Sequence, residues 1–144
     1  GYEFLAVVAL MFVCVAIQAV ILTALQRRTS SLVALWRAHR GFGMQILLIY
    51  AVILLVVLIH VLQAGVWALF FYFVVGIQPW PDAYYHSILS LTTMDDSSGV
   101  LPERWRLLGA GEGLTGWIVF SWSTAAIFMF MTSLRDRVYS NEAR

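Results

Sequence analysis

Three stretches of this sequence stay apolar for longer than a lipid bilayer is thick, and no other feature restricts the fold so strongly. From Tyr2 to Leu25 only Glu3, Gln18 and Thr23 interrupt the run. A second run extends from about Gln45 to Ile77, and a third from about Gly113 to Leu134. At 1.5 Å per helical residue, about 20 residues cross a hydrocarbon core of roughly 30 Å. Within that core the backbone must satisfy its own hydrogen bonds, and a helix does so inside a single segment. The chain is therefore expected to be an all-α integral membrane protein with three transmembrane helices in contact with the lipid bilayer. The first run is too long for a signal-peptide core and has no clear small-residue cleavage site, so it is read as a span, although the chain starts at Gly1 without Met.

Between the first two runs lies R-R-T-S-S-L-V-A-L-W-R-A-H-R-G-F-G. Leu32, Leu35, Trp36 and His39 share one side of a helix there, which predicts a separate amphipathic helix on the membrane surface with His39 interfacial. The second run is longer than a bilayer requires and is expected to tilt, bend near Gly65 or project. After the turn P-W-P-D, with Asp82 as the expected N-cap, A-Y-Y-H-S-I-L-S-L-T-T makes a helix too short to span. A short apolar helix between two spans predicts a re-entrant segment. The Ser-, Gly- and Asp-rich stretch M-D-D-S-S-G-V-L-P should be irregular, and a Gly-containing linker leads into the third run. The chain divides into residues 1–44 (first span and interfacial helix), 45–135 (second span, short helix, loop and third span) and a cytoplasmic tail, 136–144.

Charge orients the spans. All nine basic residues are Arg, and seven of them (Arg27, Arg28, Arg37, Arg40, Arg135, Arg137 and Arg144) fall in the first loop and the tail. The loop around the short helix carries only Arg104 and Arg106. By the positive-inside rule the first loop and C-terminus are cytoplasmic, and the N-terminus and Asp95–Asp96 lie outside. The implied location is an inner (plasma) membrane of bacterial type. Cys14, the lone cysteine, excludes a disulfide framework or thiol-rich metal site. No nucleotide or nucleic-acid motif is present, and no constellation of His, Cys and carboxylates suggests an enzyme or a resident cofactor. His60 is read as a residue packed or hydrogen-bonded between helices.

A-Y-Y-H-S-I-L-S-L-T-T, with a span before it and L-P-E-R-W-R-L-L-G-A-G-E-G-L-T-G and a span after it, resembles the pore domain of the potassium-channel superfamily. It is closest to small bacterial ion-channel proteins carrying an extra N-terminal span. The resemblance implies a homotetramer in which residues 92–98 form the selectivity filter. Laid on the family's T-T-V/I-G-Y-G-D, Thr92 and Thr93 match and Met94 takes the Val position. Asp95 and Ser97 replace the two glycines, Asp96 replaces Tyr, and Ser98 replaces the final Asp. Glycine reaches backbone conformations that Asp and Ser adopt only with strain, so a potassium cage of carbonyls is not expected.

What remains, T-x-D-D-x-S, resembles the carboxylate filters of bacterial sodium and calcium channels. Asp95 and Asp96 from four copies would ring one axis and hold cations transiently, with Ca²⁺ or Na⁺ favoured over K⁺. His86 and Glu112 are candidates for filter support or a vestibule charge. Gly116 is a candidate gating hinge or a close-packing position, and the stripe Trp117, Ser121, Thr124 and Phe128 is a candidate path lining. The sequence thus predicts a divalent or non-selective cation channel. Its alternative is a non-conducting, channel-like subunit that serves as a structural partner in a larger membrane complex.

Overall fold

A computed structural model describes residues 1–38, 42–94 and 101–142, apart from the side chains of 29–30, 32–38, 42 and 136–142. The described residues form four α-helices: α1 (Tyr2–Ala38), α2 (Phe42–Phe70), α3 (Trp80–Leu91) and α4 (Arg106–Glu142). A π-helical turn, Phe71–Val75, prolongs α2, and a 3-10 turn, Glu103–Trp105, leads into α4. Three segments are long and apolar enough to cross a membrane: Tyr2–Arg28, Gly43–Val75 and Glu103–Arg135.

Several expected boundaries move. No break separates the first span from the segment read as a surface helix, because α1 continues to Ala38. Its Arg, Thr and Ser residues end the apolar pattern without ending the helix, and neither Gly nor Pro intervenes. Gly65 sits inside an uninterrupted α2, and the irregularity comes instead at Phe71–Val75. There Gly76, at φ 88°, closes the turn by donating its N–H to the Phe71 carbonyl at 2.9 Å, a left-handed conformation that suits glycine. Asp82 lies in the first turn of α3, and the N-cap is Pro79, which follows a cis peptide bond. The Gly-rich stretch before the third run is helical, and α4 extends through most of the tail.

Contacts along the bundle fix its topology. Val7 meets Gly111, Gln18 meets Val119 and Ser123, and Leu22 packs near Ala126. These pairs advance together, so α1 and α4 run parallel. Cys14 and Gln18 meet Gln63, and Leu22 packs with Ile59, so α2 runs the opposite way. The N-terminus and α3 therefore share one end of the bundle. At that end Val7, Cys14, Trp67, Phe71, Ala83 and Leu108 form an apolar core. Leu22, Ile59 and Ala126 fill the middle, and Leu48, Val52, Phe130 and Leu134 fill the far end. On α4 the buried positions 108, 112, 115, 119, 123, 126, 130 and 134 trace one helical stripe.

A polar layer interrupts this core. Gln63 Nε2 donates to the Cys14 carbonyl (3.0 Å) and to Gln18 Oε1 (3.1 Å). Gln18 Nε2 donates to the Val119 carbonyl (3.2 Å) and to Ser123 Oγ (2.6 Å). His60 closes the ring, with Nδ1 3.0 Å from Gln63 Oε1 and Nε2 3.2 Å from Ser123 Oγ. An amide oxygen can only accept, so His60 Nδ1 carries a proton; in the neutral ring Nε2 then accepts from Ser123. Every hydrogen bond in the ring points the same way round.

Candidate functional site

Helix α3 has an amphipathic pattern, and its Ala83, His86, Ser87, Ser90 and Leu91 are buried against the bundle. It returns alongside α2 from the end reached at Val75. Trp80 stacks edge-on with Tyr72 at 5.6 Å, the Tyr84 hydroxyl donates to the Val61 carbonyl at 2.9 Å, and the Ser87 hydroxyl reaches the Ala64 carbonyl at 2.7 Å. Its other side meets α4: Ser87 bonds Glu112, and the carbonyls of Ser90 and Leu91 lie against Gly113 and Gly116. Leu91, the last residue of α3, meets Gly116, which is ten residues from Arg106 at the start of α4. The C-terminal end of α3 thus lies roughly 15 Å along the bundle from the start of α4.

There the helix ends sharply. Met94 N–H bonds the Leu89 carbonyl (2.9 Å) and Thr93 N–H bonds that of Ser90 (3.0 Å), the paired bonds of a Schellman cap. Such a cap needs a left-handed residue, usually glycine, and here it is Thr93 at φ 57°. A β-branched residue in that conformation is strained by about 1–3 kcal/mol. Thr92 turns its hydroxyl back onto the Ile88 carbonyl at 2.8 Å. Thr93 is exposed and Met94 is 77% exposed. Asp95, Asp96, Ser97 and Ser98 lie outside the described residues.

Two open cavities flank this cap. One, of about 430 Å³, is bordered by Ser90, Thr93, Arg106, Gly113 and Trp117. The other, of about 250 Å³, is bordered by Leu91, Thr92, Thr93, Phe120 and Ser121. The C-terminal end of a helix carries partial negative charge, which favours cations nearby.

The candidate support residues are buried together. His86 is 4% exposed and packs edge-on against Phe71 at 4.9 Å. Glu112 is fully buried and bonded to Ser87, a partner that lone-residue reasoning passed over. Gly116 lies within an unbroken helix, and a Cβ there would run into the Leu91 carbonyl, so close packing accounts for this glycine. The stripe Trp117, Ser121, Thr124 and Phe128 faces away from the chain's own helices. The hydroxyls of Ser121 and Thr124 are satisfied by the carbonyls of Trp117 and Phe120. Among the described residues, no group of three or more His, Cys, Asp or Glu side chains gathers as a metal site. Comparison with protein-family models, with curated proteins and with solved structures gives no match to this chain.

Proposed function

We propose that several copies of this chain, four in the simplest arrangement, form a cation-conducting pore. One observation carries the reading: a helix too short to span ends deep between two long apolar helices, in a capped turn bordered by hydroxyls. In a bilayer, irregular backbone at that depth is tolerated only inside protein or beside water. On this reading α3 is a re-entrant pore helix, and the residues after Met94 form the narrowest part of the path. The carboxylates of Asp95 and Asp96 follow directly and would supply hard oxygen ligands to Ca²⁺ or Na⁺. The outward stripe on α4, the least apolar of the three spans, would face the neighbouring copies or the path itself. With the Arg-rich first loop in the cytoplasm, the acidic pair opens to the outside of an inner (plasma) membrane.

The test is planar-bilayer recording in mixed Na⁺, K⁺ and Ca²⁺, comparing wild type with the double variant Asp95→Asn/Asp96→Asn. Cation currents that lose Ca²⁺ preference or Ca²⁺ block in the variant are expected, from particles of four times 16.2 kDa. Strong K⁺ selectivity unchanged in the variant would overturn the carboxylate filter. Silent bilayers together with one copy per larger assembly would favour the non-conducting structural subunit.

A further inference from the structure

Ser87 has one hydroxyl proton and two oxygen neighbours. Its Oγ stands 2.7 Å from the Ala64 carbonyl oxygen on α2 and makes a second hydrogen bond with Glu112 Oε1 on α4. A carbonyl oxygen only accepts, and an ionised carboxylate only accepts. One proton cannot satisfy both contacts, so both are hydrogen bonds when the carboxyl group of Glu112 carries a second proton. Burial argues the same way. Ser87 and Glu112 are both fully enclosed, and an ionised carboxylate in such surroundings is far costlier than a neutral acid.

We infer that Glu112 is held as a neutral carboxylic acid whose O–H donates to Ser87, while Ser87 donates to Ala64. Three helices are joined by this bracket: α4 through Glu112, α3 through Ser87 and α2 through Ala64. Glu112 is then a positioning residue, fixing how deep the C-terminal end of α3 sits. The titratable groups near it among the described residues are His86, buried at the adjacent position of α3, and the buried Cys14 thiol on α1. The consequence for ion flow rests on the pore reading, but the bracket itself does not.

Infrared difference spectroscopy on the full chain in lipid tests the proton directly. Wild type minus Glu112→Gln is expected to show the carbonyl stretch of a protonated carboxylic acid. Ser87→Ala should move that band to higher frequency, because the acid loses its acceptor. Glutamine keeps a donor facing Ser87, so Glu112→Gln should retain the thermal midpoint while Glu112→Ala lowers it. Carboxylate bands in the difference spectrum would overturn the proposal, as would equal losses of stability in the Gln and Ala variants. Should Glu112→Gln not fold, Ser87→Ala against wild type decides alone: a shifted acid band supports the bracket, and an unmoved spectrum overturns it. The band is read without ion flow, so silent bilayers with the band present would sink only the pore reading.

Discussion

Gln63 on α2 hands an amide hydrogen to Gln18 Oε1 on α1 across 3.1 Å, and Gln18 hands its own to Ser123 on α4. Three helices are tied at one level by side chains whose donors are all used. In lipid, where apolar surfaces gain little from meeting one another, such bonds hold helices in register.

Replacing Gln18 by Leu should therefore loosen α1. The change removes two donors and one acceptor and leaves one Gln63 hydrogen without its partner, at a cost of about 2 kcal/mol. Unfolding in mixed micelles checks this, and the double change with Gln63→Leu should cost less than the sum of the two single changes. Additive losses would mean that the amides act separately. The ring also fixes a tautomer: nitrogen-15 spectra of the side chain should find His60 protonated at Nδ1 and bare at Nε2.

The glycines of α4 should differ in tolerance. An added methyl at Gly116 meets the main-chain carbonyl of Leu91, which cannot step aside. Gly116→Ala should destabilise by about 3 kcal/mol or more, with no rescue by trimming neighbouring side chains. At Gly111 the obstacle is the side chain of Val7, so Gly111→Ala should be recovered by Val7→Ala. Gly43 has open space around it and should accept Ala without loss. Thermal midpoints of the four variants, measured side by side, decide.

Relief of strain is predicted at the cap of α3. Thr93→Gly should raise stability by about 1 kcal/mol, because glycine holds φ near 57° without penalty. Thr93→Val keeps the branched shape and should not. A lower midpoint for the glycine variant would show that the threonine side chain contributes more than its backbone strain removes.

The outward stripe of α4 predicts where copies meet. Cys14 is buried, so a Cys14→Ser background leaves a clean chain for labelling. Ser121→Cys in that background should cross-link between copies, and Val57→Cys, on the exposed aliphatic face of α2, should not. Cross-linking from both positions alike would point to non-specific clustering.

Much of this architecture could be read from residues alone, because length and apolarity leave few choices for Tyr2–Leu25 or Gln45–Ile77. The short helix between the second and third runs was legible for the same reason, with its limits set by P-W-P-D and T-T-M-D-D. Glycine misled at G-A-G-E-G: it reads as a linker, but within α4 it admits Val7 and the carbonyl of Ser90. Close approach and flexibility use the same residue, and only a neighbour tells them apart. His60 and Gln63 stand three apart, a spacing that places them on one face. Nothing local shows that Gln18 and Ser123 complete their ring. Glu112 stood out as a candidate for filter support or a vestibule charge, while its partner Ser87 is one of many serines.

The parallel course of α1 and α4 bears on how the protein is made. Gln18 and Gln63 can pair as soon as the first hairpin has entered the membrane. The acceptors at Val119 and Ser123 stand 101 and 105 positions after Gln18, so they are made only after both helices that carry the amides. Until then the amide pair lacks those partners, and the arrival of α4 beside α1 is the step that completes the polar ring.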